Sequence, residues 1–173
     1  IANALWLQAE ALNRTNALDS ARPVVERALE MLELSNLEPP VRADLILTQG
    51  RIAQQIGDVQ AAFESYLDAH EAFTVLGNAR KQGIALQKVG DIYNDAGDFE
   101  RAITYYDDAL LAYDADPRFT MVTHNNRANA LRGLARYDEA ATHYGEALAQ
   151  AAGFNSPMLN ARILNNLAGA QLL

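Results

Sequence analysis

The chain has 173 residues, 14 Lys plus Arg against 22 Asp plus Glu for a formal net charge of -8, half of its residues hydrophobic but only 8% aromatic, and no cysteine. The missing cysteine excludes a disulfide framework, thiolate metal ligation and a Cys nucleophile. The acidic balance without any Lys/Arg cluster excludes nucleic acid as a principal partner, because phosphate binding needs a dense basic surface.

No apolar run reaches the ~18 residues of a membrane-spanning helix, so a cytoplasmic chain with no membrane partner is expected. The apolar mass is mostly Ala and Leu, the strongest helix formers, which predicts an all-helical protein with no strand. In chain order, apolar periodicity predicts a helix over 2–14, a turn at Asn16, and a second helix over 20–35. Pro23 falls at the third residue of that second helix if Ser20 caps it, where no backbone donor is lost. Pro39-Pro40 opens a helix over 40–56, Gly57-Asp58 turns into one over 59–76, and Leu76-Gly77-Asn78 leads into one over 78–96. Gly97-Asp98 starts the helix 99–114, Asp116-Pro117 the helix 117–134, Ala135-Arg136 the helix 137–152 and Ser156-Pro157 the last, 157–173. The pattern is already running at Ile1 and still running at Leu173, as expected of an excerpt from a longer protein.

The stronger breakers, at 40, 77, 117 and 157, are 37, 40 and 40 residues apart, and a weaker series falls midway between them. A period near 40 with two helices per period means a solenoid, because one helix pair cannot bury its own apolar face and stacked pairs can. The expected organisation is one array with units 1–38, 39–77, 78–116 and 117–156, and the first helix of a fifth over 157–173. Inside the units a small residue recurs in the first helix at Ala9, Gly50, Gly90, Ala128 and Ala168. In the second helix Ala21, Ala62, Ala102 and Ala140 are followed four residues on by Val25, Tyr66, Tyr106 and Tyr144, and seven on by Ala28, Ala69, Ala109 and Ala147. Spacings of three, four and seven share one helical face, where small residues let helices approach closely. The tyrosines are therefore expected in the core, their hydroxyls reaching an edge.

With Leu86, Val89, Gly90, Tyr93, Ala102, Tyr106 and Ala109 in the third unit, the chain resembles the tetratricopeptide repeat family, whose pattern is W-x2-L-G-x2-Y followed by A-x3-F. The long period is similar to that of Pins/LGN-type scaffolds, kinesin light chains and bacterial regulators of this family. His124, Arg127, Gln8 and Gln49 depart from the apolar pattern. The resemblance implies an all-α, right-handed solenoid of antiparallel helix pairs, four pairs plus one further helix, whose first helices line a concave groove. It implies a peptide-binding groove made by Asn13, Arg51, Gln54, Gln87, Asn94, Asn125, Asn129, Arg132, Arg162 and Asn165. An amide can donate to a carbonyl and accept from an N–H, which suits it to holding an extended backbone. Asn is a weak helix former, so Lys or Glu would serve better if solvation were its only task; the pairs Asn125-Asn126 and Asn165-Asn166 are notable for that reason.

Catalysis finds no support. His70, His124 and His143 lie in different helices or units without a two-His metal spacing and are expected to be packed or solvated, His124 as a local polar variation in an apolar slot. Glu26, Glu30 and Glu33, and Asp107-Asp108, fit a solvated outer face, while Asp58 and Asp98 fit helix caps. No cofactor and no metal is expected, and the function expected is a non-enzymatic interaction module whose partner is a protein or peptide. The alternative is an architectural or sensory arm of a larger regulator, docking through its ends or convex face. The apolar last helix, with Ile163, Leu164, Leu167, Leu172 and Leu173, is expected to offer a surface for self-association.

Overall fold

The structure, a computed structural model, describes residues 8, 20, 23–27, 30, 39–114, 116–151, 153 and 157–171. Most of the helices expected over 2–14 and 20–35 lies outside the described residues, as does Asn13; residues 23–27 are helical, with Val25 buried. From Pro39 onward, all regular structure among the described residues is helical: α1 (Pro39–Ile56), α2 (Val59–Val75), α3 (Ala79–Asp95), α4 (Phe99–Ala112), α5 (Pro117–Gly133), α6 (Tyr137–Ala151) and α7 (Pro157–Gln171). The chain divides into two compact units, Ile1–Ala85 and Leu86–Leu173, the division falling inside α3.

The same turn chemistry ends four of the helices. After α1 the N–H of Gly57 bonds Gln54 C=O at 3.2 Å and that of Asp58 bonds Ala53 C=O at 2.9 Å. Gly77 and Asn78 repeat this on Thr74 and Phe73, Gly97 and Asp98 on Asn94 and Tyr93, and Ala135 and Arg136 on Arg132 and Leu131. This Schellman closure satisfies the last carbonyls but requires a left-handed residue, which Gly57, Gly77 and Gly97 supply at φ of 85°, 65° and 79°. The next residue then caps the following helix: Asp58 accepts from Ala61 N at 3.2 Å, Asn78 from Lys81 N at 3.1 Å and Asp98 from Arg101 N at 3.3 Å. α4 stops at Ala112, two residues short of the expected 114, with Tyr113 as its cap and Asp114 at a φ of 46°. Pro117 then opens α5 behind the cap Asp116, where its missing N–H costs nothing.

In the first unit α1 packs on α2, burying Leu45, Ile52, Ala62, Tyr66, Ala69 and Phe73. In the second, α4 packs on α5, α5 on α6 and α6 on α7, around Ala102, Tyr106, Leu131, Ala140, Tyr144, Ala147 and Ile163. The small positions permit these approaches. A Cβ added to Gly50 would lie 2.7 Å from the Tyr66 ring, and one added to Gly90 would lie 2.7 Å from the Tyr106 ring and 3.3 Å from the carbonyl of Ala102.

Two stability outcomes follow. Ala102 is fully buried at this contact, so Ala102→Leu should cost about 1–3 kcal/mol by overpacking; an unchanged thermal midpoint would show that the helices are not this close. Ala135 holds the left-handed position, at a φ of 57°, that glycine holds in the other turns. Relief of a strain of about 1–2 kcal/mol exceeds the entropy of about 0.5–1 kcal/mol that glycine adds to the unfolded chain. Ala135→Gly should therefore raise the midpoint and Gly97→Ala lower it, and a drop for Ala135→Gly would contradict the strain.

Candidate binding cleft

In the second unit, α5 carries Asn125, Asn126, Asn129, Arg132 and Gly133 at spacings that keep them on one side of the helix, and α7 adds Arg162 and Asn166 one turn apart. With Asn94 at the end of α3 and Phe99 at the start of α4, these residues line an open, polar cleft of 490 Å³. The absence of a side chain at Gly133 lets the Phe99 ring pack against α5, since a Cβ there would lie 2.5 Å from that ring.

A chain of amides with a fixed direction runs beside the cleft. Asp91 is a carboxylate and can only accept, so Asn126 turns its Nδ2 to it, at 2.9 Å. The Oδ1 of Asn126 is thereby left to accept from Asn125 Nδ2 at 3.3 Å, and the Oδ1 of Asn125 accepts from Asn166 Nδ2 at 3.2 Å. Asp91 is itself held by the Tyr106 hydroxyl at 3.0 Å and by Lys88 Nζ at 2.8 Å. Burial, and then the charge of Asp91, push the Tyr106 hydroxyl far above its ordinary value, so it stays protonated and donates.

The Tyr144 hydroxyl, likewise raised by burial, donates to Asn129 Oδ1 at 2.6 Å. With its oxygen taken, Asn129 has Nδ2 to present to a ligand. Asn94 contributes the opposite: its Oδ1 is buried and has no hydrogen-bond partner. Such an atom in a cleft wall is an acceptor awaiting a donor. Arg132 and Arg162 are exposed and make no ion pair with a described carboxylate. The cleft thus offers two guanidinium groups, an oriented amide N–H and an unmet carbonyl oxygen.

Of the residues singled out from sequence, Asn94, Asn125, Asn129, Arg132 and Arg162 line this one cleft. Gln87 does not: its Oε1 accepts from Tyr113 and Thr123, both at 3.0 Å. Asn165 is exposed outside the lining, and its neighbour Asn166 takes the cleft position. In the first unit Gln54 accepts from the Tyr66 hydroxyl at 2.9 Å and Arg51 donates to Thr48 Oγ1 at 3.1 Å. Asn126, Phe99 and Gly133 are cleft residues that the repeat register did not pick out.

Residues 42–115 match the family model of the tetratricopeptide repeat. Over that stretch the chain resembles the tetratricopeptide repeat, and in the described residues its fold is an all-helical array of helix pairs like that of tetratricopeptide-repeat solenoids. It superposes on the Signal Transduction ATPase with Numerous Domains from Pyrococcus horikoshii, a protein with a tetratricopeptide repeat sensor, with a TM-score of 0.88 at 19% identity, covering 99% of this chain and 27% of that one. BtubC (BKLC) from P. vanneervenii gives 0.84 at 18% identity over 97% of this chain and 70% of that one, and the apo form of RapI gives 0.83 at 17% over 97% and 47%. The chain therefore spans about a quarter of the ATPase and about half of RapI. A comparison with curated protein sequences found no match. No helix among the described residues is long and apolar enough to cross a membrane.

The Tyr144–Asn129 bond should be measurable by itself. Tyr144→Phe should cost about 0.5–1.5 kcal/mol in denaturant unfolding. In a double-mutant cycle with Asn129→Ala the two losses should not add, and full additivity would mean that the bond does not form.

Proposed function

We propose that the second-unit cleft binds an extended, acidic segment of a partner protein and that the chain acts by this binding rather than by catalysis. The observation carrying this reading is that Arg132 and Arg162, unpaired with any described carboxylate, share one cleft with the Asn129 amide and the unsatisfied Asn94 oxygen. A peptide is the ligand that supplies all the complements at once. Its backbone N–H meets Asn94, its carbonyl meets Asn129, and a side-chain or terminal carboxylate meets the guanidinium groups. Tetratricopeptide repeats are in general protein-interaction scaffolds, and the cleft gathers no nucleophile with a base.

A second reading has one observation in its favour. The chain covers 27% of a signal-transduction ATPase whose repeat region is a sensor. A sensory or architectural arm within a longer regulator, docking through another face, fits that proportion.

The two readings part on where substitutions act. Against an array of acidic and basic peptides, the chain should select acidic ones. Asn129→Ala should then weaken the best binder by about 0.5–1.5 kcal/mol and Arg132→Ala by about 1.5–3 kcal/mol, with Asp108→Ala on exposed α4 as the neutral control. Normal binding by both cleft variants together with loss in Asp108→Ala would move the ligand to the outer face.

A further inference from the structure

The pairing of α5 with α6 brings together two histidines and a carboxylate away from the cleft. His124 on α5 and His143 and Glu146 on α6 each present one ligating atom, all within 4.8 Å of one another. His143 and Glu146 are three residues apart and so stand side by side on one helix face, a spacing that metal sites in helical bundles use for a histidine and a glutamate. Glu146 Oε2 lies 2.6 Å from Nδ1 of His143 and 3.0 Å from Nδ1 of His124. The two imidazoles stack with centroids 5.6 Å apart and planes 13° from parallel.

One carboxylate oxygen facing two imidazole nitrogens needs positive charge between them, supplied by protons or by a cation. The proton on His143 is accounted for. Its Nε2 meets the guanidinium of Arg127, which can only donate, so Nε2 accepts and Nδ1 carries the hydrogen toward Glu146. His124 is different: its Nδ1 is buried and, although 3.0 Å from Glu146, has no partner in hydrogen-bond geometry. A buried imidazole nitrogen left without a donor beside a carboxylate is placed to offer its lone pair to a cation.

We propose that His124, His143 and Glu146 form a binding site for a single divalent cation of the zinc type, with the fourth position open to water. Two imidazole nitrogens and one carboxylate oxygen make a borderline donor set that suits Zn²⁺, Co²⁺ or Ni²⁺, whereas Mg²⁺ and Ca²⁺ require more oxygens than the site holds. Metal on Nδ1 of His143 displaces that proton, and the neutral ring takes one on Nε2 instead, with no net proton released. Nε2 then faces Arg127 as donor against donor, so the guanidinium must swing onto Asp107, which it already reaches at 2.6 Å. Arg127 is therefore a competitor for the site, and the bound ion clamps α5 to α6 behind the helix that carries Asn125, Asn129 and Arg132.

The test is titration of the whole 173-residue chain with Zn²⁺ and with Co²⁺, whose visible d–d absorption reports its ligands. A single equivalent should bind, with the absorption of a low-coordinate site and a raised thermal midpoint, and Mg²⁺ should do neither. His124→Gln and Glu146→Gln, each checked for unchanged far-UV helicity, should weaken binding by at least about tenfold. Arg127→Gln should tighten it, and His70→Gln, in the other unit, should leave it unchanged. Absence of a d–d band at stoichiometric Co²⁺, or an affinity indifferent to both His124→Gln and Glu146→Gln, overturns the site; weaker or unchanged binding in Arg127→Gln overturns the competition.

Discussion

The interaction on which the rest depends is the burial of one tyrosine in each of three helix pairs against the first helix of the pair. Tyr66, Tyr106 and Tyr144 are each at most 1% exposed, and the glycines at Gly50 and Gly90 exist because the rings of Tyr66 and Tyr106 occupy the space of a Cβ. A buried phenol cannot leave its hydroxyl unmet without losing about 1–3 kcal/mol. Each hydroxyl reaches the first helix, to Gln54, Asp91 and Asn129 respectively. Core packing therefore decides which way those polar side chains face. In the second unit this matters beyond stability, because Asp91 directs the amide chain and Asn129 stands in the cleft wall.

The fold was readable because its determinants are local and repeated. Left-handed residues, capping aspartates and prolines each act within a few residues, so Gly57-Asp58, Gly97-Asp98 and Asp116-Pro117 mark helix boundaries without tertiary information. Among the described residues, the helix end that moved by two, at α4, precedes Tyr113, which the sequence presents as one more apolar helical residue. Its hydroxyl is tied to Gln87 across the pair, a tertiary bond to which periodicity is blind.

The candidate site was only half readable, for a related reason. The register identifies which face of a helix is turned from the core but not which of two adjacent residues enters the cleft, so Asn125-Asn126 and Asn165-Asn166 stood out as pairs without showing that Asn126 and Asn166 complete the amide chain. Gln87 illustrates the opposite case. It has the right type and register, yet the hydroxyls of Tyr113 and Thr123 occupy its oxygen. The cluster of His124, His143 and Glu146 gives no linear signal, because His124 and His143 are 19 residues apart and only the packing of α5 on α6 joins them.

The charge distribution explains how a chain with a net charge of -8 keeps a cationic cleft. Around α5, several carboxylates are already committed: Asp91 to Lys88 at 2.8 Å, Asp107 to Arg127 at 2.6 Å and Glu139 to Arg136 at 2.6 Å. The exposed members of such pairs contribute little to stability, and none of these three carboxylates lines the cleft. Asp91 is the telling case, since it is the acid tied most directly into the cleft's amide chain. Lys88, Tyr106 and Asn126 together satisfy it. Arg132 and Arg162, by contrast, make no ion pair with a described carboxylate, and the amides of Asn125, Asn126 and Asn166 run from Asp91 along the cleft. An acidic chain repels acidic ligands at long range, and salt screens that repulsion beyond ~10 Å. The two arginines act inside that distance, so the proposed preference for an acidic segment rests on contact geometry and not on the net charge of the molecule.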